Sequence, residues 1–203
     1  LDRYAALCAA ARERRAEPIH PKKITWVLSN AKNTDKAELM FRAIDIFESF
    51  TAVEAPNIIL VNAAISVAAR LPKRGEGSSK PDKTLAFAIW ERASREFGLR
   101  MSDRTASALV DACARASDEE AALSTIEMAQ REGIKLDVVI YSSAIKACSS
   151  PASAWQLVQR AEREGIRPDA RMLDEVLNVC GRSGDAAAVH SVLDSMNARG
   201  FER

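Results

Sequence analysis

The sequence lacks most features of membrane proteins, metalloenzymes and strongly basic binding proteins. Its 203 residues contain no apolar run near 18 residues, which predicts no transmembrane helix. The formal net charge of +1 excludes a global basic field that would attract nucleic acid. The two histidines, His20 and His190, are too few and too scattered for a metal or catalytic cluster, and no glycine-rich phosphate loop or H-E-x-x-H motif occurs. We therefore expect no metal, no cofactor, no small-molecule substrate and no catalysis.

Glycine and proline are also scarce, with 8 and 7 residues, while 47% of the chain is hydrophobic. This composition is typical of an all-helical protein, and the length suffices for a substantial core. Cys113, Cys148 and Cys180 stand singly, whereas zinc sites need cysteine pairs two to four residues apart. We interpret these three thiols as small apolar core residues.

The sequence does contain a recurring seven-residue motif, termed the phrase. Residues 131–137 read REGIKLD and residues 163–169 read REGIRPD, with weaker echoes around Gly98 and Gly200. The four phrase glycines are 35, 32 and 35 residues apart, and self-similarity at this period indicates a repeat array. Helical periodicity precedes each glycine, so each phrase predicts a helix end, a tight turn and the next helix start.

The predicted repeat is therefore a helix A, a short turn, a helix B and the phrase. In the second phrase Pro168 blocks further helix and Asp169 can cap the next one. Counting the residue after the phrase as position 1, the predicted starts of helix A are Ile58, Asp103, Val138 and Ala170. In this register the three cysteines all occupy position 11. Position 13 is an arginine in three units, at Arg70, Arg115 and Arg182.

This register divides residues 1–203 into one array of units. They comprise a helix B alone at about 1–21, followed by units at 22–57, 58–102, 103–137, 138–169 and 170–203. The unit 58–102 is overlong because the polar Gly/Ser/Pro stretch 72–81 is predicted to form a loop between its two helices.

The unit resembles the pentatricopeptide repeat. It shares a helix pair of about 35 residues ending in Gly-Ile-x-Pro-Asp, an aromatic residue at position 4, here Tyr141, and Ala-Cys at positions 10 and 11. The resemblance implies an all-α, right-handed superhelical solenoid of about five such units plus the N-terminal half unit. The tetratricopeptide repeat of about 34 residues fits less well, because its W-x-x-L-G-x-x-Y pattern is missing.

The resemblance implies that helix A lines a groove where each repeat reads one base of single-stranded RNA. It assigns the reading to position 5 and to the last residue of each unit. The residues so assigned are Asn62 with Ser102, Ser107 with Asp137, Ser142 with Asp169, and Asp174, whose partner would fall past Arg203. The family's rule of thumb links a small hydroxyl plus Asp with guanine, and the Asn62/Ser102 pair with a pyrimidine. The alternative is that Ser107, Ser142 and Asp174 are ordinary solvated residues near helix starts.

Two further positions follow from the same resemblance. Position 13 would contact phosphate, so that Arg70, Arg115 and Arg182 form a local cationic track. The unit 138–169 differs, because its position 13 is Ser150. The alternative is that they are ordinary exposed arginines placed favourably at helix ends. Position 2 would hold an aliphatic residue against the base, which Ile59 and Val139 match and Arg104 and Arg171 do not. The unit 22–57 places Trp26 or Val27 at position 5, and neither offers a partner for a base edge.

The resemblance therefore predicts a non-catalytic module that binds single-stranded RNA, an organellar transcript or ribosomal RNA, in a mitochondrion or plastid. Contacts to three bases would contribute about 1–3 kcal/mol of binding free energy each. Association itself costs roughly 4–15 kcal/mol. Tight binding would thus need a longer array or a larger assembly. The alternative is a helical-repeat scaffold or accessory subunit that contacts protein subunits of an organellar protein or ribonucleoprotein complex, with vestigial reading positions.

Overall fold

A computed structural model describes residues 20–34, 36–72 and 81–201. Within these ranges the chain forms ten α-helices and no β-strand, which confirms the predicted all-helical class. The helices are α1 (Pro21–Ala31), α2 (Ala37–Thr51), α3 (Ile58–Ala68), α4 (Thr84–Phe97), α5 (Asp103–Ala116), α6 (Glu119–Arg131), α7 (Val138–Ala147), α8 (Pro151–Arg163), α9 (Ala170–Ser183) and α10 (Ala186–Ala198). The predicted N-terminal helix B and the centre of the predicted 72–81 loop lie outside the described ranges. None of the described helices has the length and apolar character to cross a membrane.

The chain divides into two compact units, residues 1–112 and 113–203. In the first unit α1 packs against α3, and α2 contacts both of them, while α4 packs on α3. In the second unit α7 packs against α9, and α8 contacts both, with α6 on α7 and α10 on α9. The same arrangement of two neighbouring A helices bridged by the intervening B helix thus occurs in each unit. Helix α5 begins in the first unit, and its residues 113–116 belong to the second.

Side-chain caps fix where the A helices begin. The side-chain oxygens of Asn57, Asp137 and Asp169 each accept the backbone N–H three residues later, at 2.9, 2.9 and 2.8 Å. Each such cap contributes about 1 kcal/mol to helix stability. The capping predicted for Asp169 is confirmed. Helices α3, α5, α7 and α9 begin at the four residues that the sequence register takes as position 1.

The phrase glycines end the B helices in a left-handed backbone conformation. The φ angles of Gly98, Gly133, Gly165 and Gly200 are 63°, 76°, 78° and 75°. This region is nearly free of steric cost only for glycine. After Gly133 and Gly165, the next residue donates its N–H to the carbonyl five residues earlier, at 2.9 Å in both cases, which is the Schellman pattern of helix termination. The predicted role of the phrase as a helix stop is confirmed.

The first described helix starts one residue before the predicted unit 22–57. His20 Nδ1 accepts the N–H of Lys22 at 3.2 Å, which makes His20 the N-cap and Pro21 the first helical residue. The buried residues of α1 are Ile24, Val27, Leu28 and Ala31. Counted from Pro21, they occupy positions 4, 7, 8 and 11, which are also buried in α3. Position 5 of this unit is therefore Thr25, which differs from the placement of Trp26 or Val27 expected from the sequence.

The repeated cysteines belong to the core. Cys113, Cys148 and Cys180 are all buried, as their shared position predicted. Burial raises the pKa of the Cys148 thiol to about 11, and burial followed by the nearby Asp185 carboxylate raises that of Cys180. The thiols of Cys148 and Cys180 therefore stay protonated at neutral pH, as a small apolar residue would require.

Glu119, at the start of α6, links its helix to the turn between α7 and α8. Its Oε2 accepts both the backbone N–H and the hydroxyl of Ser149, each at 2.8 Å. Burial by itself raises the pKa of Glu119, but these bonds, with one from Ser153, outweigh it and hold the pKa below its usual value of 4.5. The charged carboxylate therefore stabilises the fold.

We predict that Glu119→Gln lowers the free energy of unfolding by about 1 kcal/mol at pH 7, because it loses a charge-assisted acceptor. A lowered folded pKa means that this stabilisation is complete above the unfolded pKa and is lost as pH falls through the folded pKa. Urea denaturation at pH 7 and pH 3 measures both effects, with the exposed Glu120→Gln as control. A deficit equally large at pH 3 would contradict the assignment.

Candidate nucleic-acid interface

Two A helices expose a large aliphatic side chain in their first turn. Ile59 at position 2 of α3 is 62% exposed, and Val139 at position 2 of α7 is 44% exposed. The residues that follow each of them, at positions 3 and 4, are fully buried. Only four large hydrophobic side chains are exposed among the described residues, and two of them share this position. Packing within either unit does not account for them, so position 2 offers an apolar surface to a ligand.

The same position is charged in the three remaining A helices, where it is Lys22 in α1, Arg104 in α5 and Arg171 in α9. Arg104 of α5 and Arg171 of α9 are both exposed. A guanidinium plane can also lie flat against a base. Position 2 therefore alternates between cationic and aliphatic side chains along the five A helices, and all five side chains reach solvent.

In the first unit the structure brings the predicted pair Asn62 and Ser102 together across 40 residues. Asn62 Nδ2 donates to Ser102 Oγ at 3.4 Å, and Thr105 Oγ1 donates to Asn62 Oδ1 at 2.8 Å. The hydroxyls of Ser102 and Thr105 are 2.9 Å apart, and each accepts the other residue's backbone N–H at 3.2 Å, as in a capping box. The three side chains form a closed hydrogen-bonded ring at the start of α5.

Thr105 is a member of this ring that sequence reasoning missed. It is buried and occupies position 3, where α3, α7 and α9 carry Leu60, Ile140 and Met172. A polar residue at a position that is apolar in these three helices was the available signal. Its hydroxyl orients the amide of Asn62, because it donates to the oxygen and so leaves the nitrogen directed towards Ser102.

In the second unit the predicted pair Ser142 and Asp169 is less exposed to solvent. Ser142 is only 3% exposed, and its hydroxyl donates to the carbonyl of Val138 at 2.7 Å. Asp169 is half-buried and Asp137 is exposed. Each carboxylate uses Oδ1 for its helix cap, so Oδ2 is the atom that could meet a base. The aspartates are therefore better placed to contact a ligand than Ser142.

The remaining predicted reading residues are open to different degrees. Ser107, at position 5 of α5, is half-buried, and Asp174, at position 5 of α9, is exposed. Both are the fifth residues of their helices, as the register requires.

Among the predicted phosphate contacts, Arg182 binds the backbone of the preceding repeat. Its Nη2 donates to the carbonyls of Lys146 and Cys148 at 3.1 and 3.3 Å, so the guanidinium closes the C-terminal end of α7 in the preceding repeat. A cation there also opposes the negative end of the helix dipole. Arg70 and Arg115 are half-buried. The phosphate role of these arginines stays a prediction.

We predict that Arg182→Ala lowers the free energy of unfolding by about 1–2 kcal/mol, because two carbonyls lose a charged donor. Arg171→Ala is the matched control on the same helix and should change it by less than about 0.5 kcal/mol. Urea denaturation of both variants makes the comparison. Unchanged stability for Arg182→Ala would show that the two carbonyl bonds contribute nothing.

Comparison with known proteins adds a sequence match. A family model described as the pentacotripeptide-repeat region of PRORP matches residues 91–202, more than half of the chain. No curated protein matches the sequence.

Several solved structures share the fold. The PPR domain of Arabidopsis thaliana protein-only RNase P 1 (PRORP1), in complex with tRNA, matches with a TM-score of 0.65 at 14% identity, covering 90% of this chain and 89% of that one. PPR10 in complex with an 18-nt psaJ RNA element matches at 0.66 and 21% identity, over 100% and 32%. PPR10 from maize matches at 0.70 and 22% identity, over 98% and 28%. The chain thus spans about a third of the length of PPR10, and at these identities the similarity shows the fold.

Proposed function

The chain belongs to the pentatricopeptide repeat family, and on that premise we propose that it binds single-stranded RNA without catalysing a reaction. The observation that carries the proposal is the exposure of Ile59 and Val139 at the same position of two A helices. Aromatic side chains hold unpaired bases by stacking, at about 1–3 kcal/mol per base, and an exposed aliphatic side chain gains from burial when a base lies against it. Two of the similar solved structures contain RNA, a tRNA and a psaJ element, which supports the same class of ligand.

The carboxylates of the capping aspartates favour one RNA base over the others. Asp137 and Asp169 each leave Oδ2 outside the cap, and a carboxylate oxygen only accepts hydrogen bonds. The Watson–Crick edge of guanine carries two adjacent donors, N1–H and the amino group. Adenine and cytosine instead present a ring-nitrogen acceptor, which a carboxylate repels. We therefore propose that the repeats ending at these residues read guanine, with Ser142 as the position-5 partner of Asp169.

The other proposed contacts are weaker in specificity. Asn62 and Ser102 present a small amide–hydroxyl pair, which we assign to a pyrimidine on the family's rule. Asp174 would begin a further reading position. Arg70, Arg115 and Arg182 are the proposed phosphate contacts, and Arg182 retains donors beyond the Nη2 group that binds the two carbonyls. From the family resemblance we further propose that this activity takes place in a mitochondrion or plastid, on a transcript or on ribosomal RNA.

We predict that Asp137→Asn and Asp169→Asn each weaken binding of guanine-containing RNA about tenfold and shift the preference towards adenine or cytosine. Asn caps helices as well as Asp does, so the fold should be unaffected. Fluorescence anisotropy with short single-stranded RNAs at low salt measures the affinities.

Asp185→Asn is the matched control. Asp185 caps α10, its side chain accepting the N–H of Ala188 at 2.9 Å, but it belongs to a B helix. An equal loss of affinity in this variant would show that net charge, and not base reading, explains the effect.

We further predict that Val139→Ala reduces RNA affinity about fivefold or more while changing the free energy of unfolding by less than about 0.5 kcal/mol. The reason is that the exposed side chain would be buried only by a base. Val53→Ala is the matched control, because Val53 is 43% exposed but lies in the turn after α2. Equal affinity in both variants would remove the main support for the proposal.

A second candidate function is a scaffold that contacts proteins of a larger organellar complex. The burial of Ser142 and the engagement of Arg182 by backbone carbonyls favour it, because both reduce the polar groups available to RNA. Purification of the tagged chain before and after ribonuclease treatment separates the two functions. Partners that survive the treatment support the scaffold, and partners released by it support RNA binding.

A further inference from the structure

We propose that Trp26, together with Lys22 and Lys23, forms a stacking site on α1 that holds one unpaired RNA base whatever its identity. The inference rests on the proposed RNA binding, and it adds an anchor that reads no base edge. Trp26 is 62% exposed, and it is the aromatic member among the four exposed large hydrophobic side chains of the described residues. Packing within the first unit therefore does not explain why a tryptophan stands there.

The place that Trp26 occupies holds a different kind of side chain in the other A helices. Trp26 is the sixth residue of α1, which begins at Pro21. The sixth residues of α3, α5, α7 and α9 are small or charged, and none of them is exposed: Ala63, Ala108, Ser143 and Glu175. Trp26 thus differs from its equivalents in both size and exposure.

The sixth residue of an A helix faces the A helix before it. In α9 this residue is Glu175, whose Oε1 lies 3.3 Å from Lys146 Nζ of α7. The fifth residue faces the opposite way, as Asn62 of α3 shows by its bond to Ser102 just before α5. Trp26 therefore lies on the side of α1 directed away from α3, and no A helix precedes α1 in the part of the chain that the structure describes. The indole ring is an open face at the edge of the first unit.

The charges around Trp26 favour an anionic ligand. Lys22 and Lys23 precede it by four and three residues, so they lie beside it on the helix surface, and both are exposed. The segment 20–34 contains three lysines and no Asp or Glu. Because the whole chain carries only +1, the remaining residues are net negative, and this segment is a local cationic patch. Lysines beside an aromatic ring match a nucleotide, which has a negative phosphate next to a base.

The polar surroundings of Trp26 argue against a protein partner at this place. Ser29 and Asn30 follow it by three and four residues and are exposed, and Asn30 Nδ2 donates to the carbonyl of Trp26 at 2.8 Å. The indole is thus a single apolar side chain in a polar surface. The centre of a protein interface is apolar over a contiguous patch, whereas a base needs only one aromatic face. Since every base has such a face, the site would not select among bases.

The first test replaces the indole. We expect Trp26→Ala to weaken the binding of short single-stranded oligomers of uridine, cytidine and adenosine by the same factor, about tenfold. Trp26→Phe retains an aromatic ring and should keep most of the affinity, whereas Trp26→Leu retains only apolar bulk and should lose most of it. Fluorescence anisotropy at low salt measures the affinities, and thermal unfolding verifies that each variant is folded.

The second readout reports on the ring itself. RNA should quench part of the tryptophan emission of the unmodified chain, and this part should be absent from Trp26→Phe, which keeps Trp90 and Trp155. Replacing Lys22 and Lys23 together by Gln should reduce the slope of log affinity against log salt by about 1 to 1.5. The matched control is Arg131→Gln with Arg163→Gln, which removes two exposed cations from the ends of the B helices α6 and α8 and should leave the slope unchanged.

Several outcomes would overturn the inference while leaving the proposed function intact. They are an unchanged RNA affinity in Trp26→Ala, RNA binding without quenching of Trp26, and an equal change of salt slope in both double variants. Quenching by vesicles of anionic lipid but not by RNA would assign the patch to a membrane surface and would overturn it too. Absence of RNA binding by the unmodified chain at low salt would instead overturn the proposed function, and the inference with it.

Discussion

Much of this structure depends on one type of hydrogen bond, made by the residues that cap three of the A helices. Asn57, Asp137 and Asp169 accept the third backbone N–H of the helix that follows. Because the cap defines position 1, it also determines which side chains the first turn buries and which it exposes. Ile59 and Val139 reach solvent for this reason, while the residues after them enter the core. A local interaction worth about 1 kcal/mol therefore sets the phase of a whole repeat.

The cap also links the fold to the candidate interface in one side chain. A carboxylate or an amide has two polar atoms, and the helix uses only one of them. The second atom differs between the two types, since Asp leaves an acceptor and Asn leaves a donor. As both residues cap helices about equally well, exchanging them changes what the surface presents and leaves helix stability nearly constant. Repeats of this kind can therefore differ in the base that they favour while sharing one backbone.

Features that depend on local residue type and spacing were predictable from the sequence. Features that depend on contacts between residues far apart in the chain were not. The phrase glycines, the capping of Asp169 and the buried cysteines followed from spacing and residue type. The start of α1 was missed because no glycine phrase precedes Pro21, and His20 is an uncommon cap. The partners of Arg182 are backbone carbonyls 34 and 36 residues away, and a carbonyl has no sequence signature. The burial of Ser142 likewise depends on packing around α7 rather than on residue type.

The energetics of such a repeat favour discrimination over affinity. A stacked base contributes about 1–3 kcal/mol, and a well-matched polar pair discriminates against the wrong base by a similar amount. Association costs roughly 4–15 kcal/mol however many repeats take part. A few repeats can therefore reject a wrong base at each position and still bind weakly, whereas every added repeat contributes to affinity after the fixed cost has been met. A chain that spans about a third of the length of PPR10 has few repeats to contribute to such a sum.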